Sequence, residues 1–309
     1  MSTTRGRFVV IGESLVDIVI AGGGPPTARP GGSPLNVAVG LARLGHDVLL
    51  VTRIGDDRHG DLVRDHLAGS GVRLAAGSVV PGAVTGTATA TIGPDGSASY
   101  RFALDPALPD LPLPEGIDAL HVGSLGSRME PGAGAVAAAV RTARERRVPV
   151  CYDPNVRAAL VTDRPAYVAA VNRLAAAADV VKASAEDVAF VWGGPRPGWR
   201  ATLSVVTDGA AGYAAEFGGV WREYPAVPTR LVDTIGAGDT FTAGLLDGLA
   251  GRGLLAQDAL AAAPRDDIDR VLLRAATAAA ITCSRTGADP PTRQELDERL
   301  ASLPAVGDA

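Results

Sequence analysis

The run Asp233-Thr-Ile-Gly-Ala-Gly-Asp239 combines two glycines and two carboxylates in a pattern that suits phosphoryl transfer. Gly236 and Gly238 lack Cβ atoms, so the backbone N–H groups around them can crowd an anion. Apolar residues at helical spacing over 240–250 predict a helix directly after the run, and a helix N-terminus carries a partial positive charge. Asp239, at this predicted helix start, could accept the proton of an incoming hydroxyl group.

A purely structural explanation of this run is also open. Asp is a favoured N-cap and glycines are common in turns, so a Gly-x-Gly alone gives weak support for chemistry. That explanation does not account for Asp233, a second carboxylate directed into the same turn. Residues 229–232 predict a short strand, which would place the glycines in a strand-to-helix turn.

Strand-like and helix-like segments alternate along the chain, which predicts an α/β protein with a mostly parallel sheet covered by helices on both faces. The predicted strands are 8–11, 48–52, 119–122, 149–152, 179–182 and 203–207. The predicted helices are 36–44, 60–70, 133–146, 166–177, 239–250, 268–284 and 292–302.

One segment departs from this alternation. Residues 84–102 alternate small β-branched and polar residues around Gly93-Pro-Asp-Gly96, which predicts a β-hairpin. Together with the Gly-rich segment 17–28, the hairpin predicts a small β structure that projects from the main sheet.

The composition favours a cytoplasmic enzyme. Hydrophobic residues make up 47% of the 309 residues, which is ample for a folded core. The net charge is −5 and there is no block of Lys or Arg, which argues against a nucleic-acid or membrane-surface partner. Cys151 and Cys283 lie far apart in apolar runs, as free thiols do in reducing compartments, and the four histidines show no zinc spacing. The apolar run 8–11 ends at Gly12, which indicates a first strand rather than a signal peptide. No stretch approaches the ~20 apolar residues of a membrane span.

Six segments in succession resemble the motifs of the ribokinase-like, or PfkB-type, carbohydrate kinases. They are Gly12-Glu-Ser-Leu-Val-Asp17, Gly31-Gly-Ser-Pro-Leu-Asn36, Ile54-Gly-Asp-Asp-Arg-His-Gly60, Asp153-Pro-Asn-Val-Arg157, Val206-Thr-Asp-Gly-Ala-Ala-Gly212 and the run from Asp233 to Gly244. The resemblance extends from about residue 8 to residue 291, and six ordered motifs are far more specific than one.

This resemblance implies a three-layer α/β/α fold with a mostly parallel central sheet, in a single domain over 1–309. A small β-lid, contributed by roughly 17–35 and 83–105, would cover a sugar site. The implied activity is transfer of the γ-phosphoryl group of ATP to a primary hydroxyl of a free sugar. Asp239 would be the general base, and the backbone of Gly236, Ala237, Gly238 and Asp239 would form an anion hole.

The resemblance also implies a set of substrate-binding residues, each with an ordinary structural alternative. Asp17 could instead be a solvated loop residue, Asn36 and Glu130 could simply belong to first helical turns, and Arg157 could form a surface ion pair. Arginine is nevertheless suited to bidentate binding of phosphate oxygens. The set comprises Asp17, Gly31, Gly32, Asn36, Arg101, Glu130, Asn155 and Arg157.

On the nucleotide side, the resemblance implies binding by Lys182, Ser184, Asp187, Thr207, Gly209 and Gly212. Ser184 and Asp187 stand where the family has an Asn-x-x-Glu element that helps to organise Mg²⁺ and phosphates, so the match is degraded there. Mg²⁺ is expected because it needs few protein ligands. A K⁺ ion is implied beside the anion hole, held by Asp233 and by backbone carbonyls at Ile235 and around Thr282, Arg285 and Gly287.

The forms Gly-Ser-Pro-Leu-Asn and Asp-Pro-Asn-x-Arg, with Glu130-Pro131, look most like fructokinases, which places D-fructose first and 2-keto-3-deoxygluconate or ribose next.

Two other classes of protein are less well supported by the sequence. A dinucleotide-binding oxidoreductase would need Gly-x-Gly-x-x-Gly after the first strand, whereas the chain has Gly12-Glu-Ser-Leu-Val-Asp17. A non-catalytic sugar-binding regulatory protein would be expected to lack Asp239 or the glycines. As for the oligomeric state, the resemblance implies a homodimer that pairs through the lid.

Overall fold

The computed structural model describes residues 5–21, 25–92, 98–109, 112–194, 196 and 198–303. Within these ranges, several helices begin at residues that satisfy the free N–H groups of a first turn. Ser184 and Thr292 form capping boxes, and Asp57 and Asp163 accept backbone N–H bonds at two other helix starts. The helices are α1 (Ser33–Arg43), α2 (Arg58–Gly69), α3 (Gly132–Glu145), α4 (Arg164–Ala177), α5 (Ala185–Trp192), α6 (Ala237–Gly251), α7 (Gln257–Ala261), α8 (Arg265–Cys283) and α9 (Arg293–Ala301).

The strands form one large sheet, one small sheet and a two-stranded pair. They are β1 (Arg7–Ile11), β2 (Leu15–Ala21), β3 (Thr27–Gly31), β4 (Asp47–Val51), β5 (Ile54–Gly55), β6 (Arg73–Leu74), β7 (Val79–Val80), β8 (Gly86–Ile92), β9 (Ala98–Ala103), β10 (Ala119–Gly123), β11 (Val150–Asp153), β12 (Val180–Ser184), β13 (Leu203–Thr207), β14 (Tyr213–Phe217) and β15 (Val220–Tyr224).

The central sheet has the order β15-β14-β13-β12-β11-β10-β1-β4-β6, and it is parallel from β13 to β6. Alternate residues of β1 enter two separate cores, since Phe8 and Val10 pack on one side and Val9 and Ile11 on the other. Both faces are therefore covered by helices. This confirms the predicted three-layer α/β/α class with a mostly parallel sheet.

The small sheet has the order β3-β2-β8-β9, with β2 and β8 parallel and the outer pairs antiparallel. Its strands β3, β8 and β9 fall within the segments expected to form a lid, and β2 begins slightly earlier, at Leu15. The predicted turn at Gly93-Pro-Asp-Gly96 lies outside the described residues, as do 22–24 of the Gly-rich segment.

The predicted strand at 229–232 is wrong, because this segment is irregular and packs against a helix end. The N–H groups of Val232 and Asp233 donate to the carbonyl of Cys283 at 2.8 and 3.2 Å, and Thr229 Oγ1 donates to the Ala280 carbonyl at 2.9 Å. With its backbone bonded to α8, the segment has no strand partner. Sequence patterns also missed α5, α7 and the antiparallel pair β14 and β15.

Helix α6 packs unusually closely on its neighbours α1 and α8. A Cβ added at Gly244 would lie 2.9 Å from Ala275 Cα, and one added at Gly248 would lie 3.1 Å from a Val271 methyl group. On the other side, a Cβ at Gly40 would lie 2.7 Å from the Ala243 methyl. Small residues thus fix α6 between two helices. Across the described residues, no helix is both long and apolar enough to cross a membrane.

Candidate active site

Asp239 lies in the first turn of α6 and is only 8% exposed. Ser33 Oγ donates to its Oδ1 at 2.6 Å and Asn36 Nδ2 donates to its Oδ2 at 2.8 Å, both from α1. Asn155 Nδ2, in the loop after β11, lies 3.4 Å from Oδ1. All three donors are neutral, so they orient the carboxylate without cancelling its charge. A carboxylate held in this way can accept a proton from a positioned hydroxyl group.

The N-terminus of α6 presents backbone N–H groups beside this carboxylate. Gly236 precedes the helix with φ 75°, in the left-handed region that glycine adopts without strain. The Ala237 N–H donates to the Thr234 carbonyl at 3.2 Å, so this N–H is already hydrogen-bonded within the turn. The N–H groups of Gly236, Gly238 and Asp239 have no partner among the described residues. Unpaired N–H groups at the positive end of a helix suit an anion.

A buried ion pair lies against this turn. Lys182 Nζ donates to Asp153 Oδ2 at 3.0 Å, and both side chains are at most 5% exposed. The pKa of Asp153 is raised to about 6, chiefly by burial. The charge of Lys182 lowers this pKa, whereas the charges of Asp187 and Asp239 raise it further. Burial alone would lower the pKa of Lys182, but Asp153, Asp239 and Asp187 outweigh it and raise that pKa, so the amine stays charged. A Cβ at Gly238 would lie 2.9 Å from the ammonium, which places this charge next to the free N–H groups.

Two buried carboxylates shape the loop that carries Asn155. Asp153 Oδ1 accepts from the Asn155 N–H at 3.1 Å, and Asp187 Oδ1 accepts from the Val156 N–H at 2.7 Å. Asp187 Oδ2 accepts from the N–H of Ser184, its partner in the capping box of α5. Asn155 takes a positive φ of 38°, which asparagine tolerates better than most residues. The loop therefore directs the Asn155 amide towards Asp239.

Several of the predicted sugar-binding residues face the same space as Asp239. A Cβ at Gly31 would collide with the Asp17 carboxylate, so the glycine turn and β2 are in close contact. The Asp17 side chain is open to the cleft, yet burial by the surrounding protein raises its pKa; Arg157 opposes this shift and Asp239 adds to it. Arg157 and Asp239 are thus close enough to Asp17 for their charges to act on its carboxyl group, so three separate elements meet at one cleft. Gly32, at φ 107°, begins α1, which carries Asn36.

Two other predicted sugar-binding residues are not brought into this group by a described contact. Arg101 is exposed on β9, opposite Thr89. Glu130 is exposed, and its Oε2 accepts from the Gly134 N–H at 3.3 Å. That contact is the one expected of a glutamate at a helix start.

The predicted nucleotide-binding residues lie at the carboxyl ends of neighbouring strands. Ser184 at the end of β12 is opposite Thr207 at the end of β13. Gly209 has φ 48° in the turn that follows. Gly212 has φ 103°, and a Cβ there would collide with the Tyr224 carbonyl, so this glycine is required by the close approach of β15. Carboxyl ends of strands are where ligands of open α/β sheets bind.

The loops named for a monovalent cation meet around Asp233. Asp233 Oδ1 accepts from the Ile235 N–H at 3.0 Å and Oδ2 from the Gly287 N–H at 2.8 Å. Burial would raise the pKa of Asp233, but these backbone bonds, a further one from Thr234 and the charge of Arg29 lower it. The carboxylate is thus kept ionised, and it ties the loop before α6 to the loop after α8. Thr282 and Arg285 occupy the end of α8 and the turn after it.

Sequence reasoning did not single out three residues of this site. Ser33 makes the shortest hydrogen bond to Asp239, and Asp153 and Thr242 form the buried layer below it, with Thr242 Oγ1 3.4 Å from Asp153 Oδ2. Ser33 could have been found, because it lies one helical turn before Asn36 and must share its face. Asp153 stood within a recognised motif, but its partner Lys182 is distant in sequence.

Comparisons with known proteins identify the family of this chain. Residues 7–295 match the family described as pfkB family carbohydrate kinase. The fructokinase of Klebsiella pneumoniae is 34% identical over 313 aligned residues, which cover 96% of this chain and 100% of that protein. The chain belongs to the pfkB family of carbohydrate kinases, and it is a sugar kinase.

Solved structures show the same fold. A double mutant of the fructokinase from Vibrio cholerae O395, with fructose, ADP and potassium ion bound, superposes with a TM-score of 0.80 at 26% identity and covers 97% of this chain and 100% of its own. The ATP-bound fructokinase from Xylella fastidiosa gives a TM-score of 0.79 at 26% identity, with 96% and 98% coverage.

Proposed function

We propose that the protein is an ATP-dependent fructokinase that phosphorylates a primary hydroxyl of free D-fructose. The observation that carries the proposal is the arrangement at the start of α6, where an oriented carboxylate lies beside unpaired backbone N–H groups. The similarity to proteins named fructokinases supports the choice of fructose.

In this reaction, Asp239 accepts the proton of the sugar's acceptor hydroxyl. The oxygen of that hydroxyl attacks the γ-phosphorus atom of ATP. The new oxygen–phosphorus bond forms while the bond to the bridging oxygen breaks, and ADP leaves with the electron pair. The free N–H groups of Gly236, Gly238 and Asp239 stabilise charge on the transferred group, each contributing about 3 kcal/mol in comparable sites. Asp17 and Asn36 hold the sugar so that its hydroxyl meets Asp239.

For the nucleotide, we infer that its phosphates extend from Ser184 and Thr207 towards the anion hole. Leu231, Val232 and Ile235 are 65%, 52% and 56% exposed just before α6, and such an apolar surface suits a purine ring. A Mg²⁺ ion that arrives on the nucleotide phosphates needs few protein ligands, because it keeps mostly water and phosphate oxygens around it. Bound there, Mg²⁺ would neutralise phosphate charge; Ser184 and Asp187 would act on it through its bound water, because their side-chain oxygens already accept backbone N–H bonds.

A K⁺ ion is proposed at the Asp233 loops described above. Its expected role is to fix those loops and so the N-terminus of α6. Replacing K⁺ with Na⁺ in the assay should lower the rate, and an unchanged rate would remove this proposal.

The substrate assignment is tested with a coupled assay of ADP release on D-fructose, 2-keto-3-deoxygluconate, D-ribose and D-glucose. The highest kcat/KM is expected for fructose. Preference for another sugar would move the protein to that kinase class, and sugar binding without ATP turnover would indicate a regulatory protein.

A cytoplasmic location and a homodimer paired through the small sheet are also part of the proposal. Sedimentation at several protein concentrations tests the dimer.

A further inference from the structure

Arg29 is a positively charged residue of the small sheet that none of the motifs includes. It lies on β3 directly opposite Asp17 on β2 in the antiparallel ladder. Side chains of directly opposed residues project from the same face of a sheet. Arg29 therefore shares with Asp17 the face that is directed at the cleft.

The guanidinium of Arg29 reaches across the cleft to the loop beside α6. A Cβ added at Gly287 would lie only 2.9 Å from Arg29 Nη1. Gly287 is the residue whose N–H donates to Asp233, and the Arg29 charge stabilises that carboxylate. Because Gly287 has no side chain and φ 75°, the loop leaves room for the arginine. Arg29 thus spans the distance from the sugar side to the anion-hole side.

The chemistry of this position points to an anionic group between the two sides. Arg29 is exposed, and it donates no hydrogen bond to any residue that the structure describes. Its guanidinium carries five N–H donors in a planar fork that matches phosphate oxygens. On the path from nucleotide to sugar, the group that needs such donors is the phosphoryl group during its transfer.

We propose that Arg29 binds the phosphoryl group as it passes from the nucleotide to the acceptor hydroxyl, a role that rests on the proposed kinase function. The arginine stays protonated throughout and exchanges no proton; Asp239 takes the hydroxyl proton. Since Asp17 and Arg29 are directly opposed on one sheet, the same two strands present the sugar-binding carboxylate and the arginine to the cleft. The small sheet then contributes to catalysis as well as to sugar recognition.

The test compares Arg29→Gln and Arg29→Lys with wild type, and uses Arg173→Gln on the exposed side of α4 as a matched control. We expect Arg29→Gln to lower kcat about 100-fold, as for loss of other transition-state donors, with the KM for sugar within about 3-fold. Arg29→Lys should recover part of the rate because it keeps the charge without the fork. Arg173→Gln should match wild type.

A second readout is the binding of ADP with aluminium fluoride in the presence of sugar, which imitates the group in transfer. Arg29→Gln should weaken this binding far more than it weakens binding of ADP alone. Equal kinetics of Arg29→Gln and Arg173→Gln would overturn the proposal, and so would a loss confined to the KM for sugar. The two proposals fail in different ways. If wild type phosphorylates none of the sugars, the proposed function is wrong. If wild type and Arg29→Gln bind ADP with aluminium fluoride equally well, the role of Arg29 is wrong.

Discussion

Helix α6 carries two buried aspartates whose surroundings differ in one decisive respect. Asp239 in the first turn is held by neutral hydroxyl and amide donors, whereas Asp247 near the other end is held by charged groups. Asp247 Oδ1 lies 2.9 Å from His46 Nε2 and accepts from Arg293 at 2.7 Å, and its Oδ2 accepts from Arg274. Burial would raise the pKa of Asp247, but the bond to His46 and the charges of Arg274 and Arg293 lower it.

The difference separates a carboxylate that can take a proton from one that stabilises the fold. Neutral donors orient Asp239 and leave its negative charge available to the reaction. The guanidinium groups around Asp247 neutralise its charge and tie α6 to α8 and α9. The same residue type on one helix thus acquires two roles from its partners. The same substitution at both positions is therefore the sharpest way to break the comparison.

The largest effect is expected for Asp239→Asn. The amide is isosteric but cannot accept the hydroxyl proton, so kcat should fall about 10³-fold, within the range for general bases. ADP binding should stay within a few-fold of wild type, and the free energy of unfolding should fall by about 1–2 kcal/mol, because the amide oxygen still accepts one of the two close hydrogen bonds. Steady-state kinetics and calorimetry with ADP measure these quantities. A near-normal kcat would remove Asp239 from the proton-transfer step.

Asp247→Asn should have the opposite profile. Removing one partner leaves the Arg274 and Arg293 charges uncompensated in a largely buried cluster, so unfolding should require about 3 kcal/mol less free energy. At a temperature where the variant is folded, kcat should remain close to wild type. Urea denaturation and kinetics on one preparation check both points. A loss of kcat without a loss of stability would contradict the separation of roles.

A smaller effect is expected when one neutral donor to Asp239 is removed. Ser33→Ala deletes the bond at 2.6 Å, which should lower kcat by roughly 10- to 100-fold because hydrogen bonds to charged groups contribute about 1.5–3 kcal/mol. Ser302→Ala, at an exposed position after α9, is the control for handling and expression. Equal rates for the two variants would show that Asn36 and Asn155 alone orient the base.

The smallest effect concerns acidity. The folded-state pKa of Asp247 lies below its ordinary value of 3.8, so its stabilisation is fully present above that value and is lost as the pH falls through the lowered pKa. The difference in unfolding free energy between wild type and Asp247→Asn should consequently shrink below about pH 4. Denaturation curves across the acidic range and up to neutral pH measure it. A constant difference over that range would show that charge is not what Asp247 contributes.

The fold was largely predictable from the sequence because buried parallel strands and amphipathic helices leave strong periodic patterns. The exceptions have a physical cause in each case. Residues 229–232 are apolar and look like a strand, but their backbone is bonded to the end of α8. The helix α5 is short, and its capping box of Ser184 and Asp187 coincides with the segment that resembles a nucleotide element, so the sequence pattern does not indicate a helix there.

The candidate site was predictable where chemistry lies within one segment, as from Asp233 to Asp239. It was less predictable where partners come from distant strands. Lys182 and Asp153 pair across β12 and β11, and the residue spacing gives no indication of this. Arg29 reaches Gly287 only because the small sheet and the loop after α8 approach each other in space.

The close packing of α6 determines which parts of the enzyme can adapt. Since a Cβ at Gly244 would lie only 2.9 Å from Ala275 Cα and one at Gly248 would crowd Val271, α6 cannot rotate or move towards α8 without displacing it. The phosphoryl-binding end of the site is therefore a rigid reference point. Accommodation of a new acceptor during evolution is instead expected from residues of the small sheet other than Arg29, which can be exchanged while the reaction centre keeps its geometry.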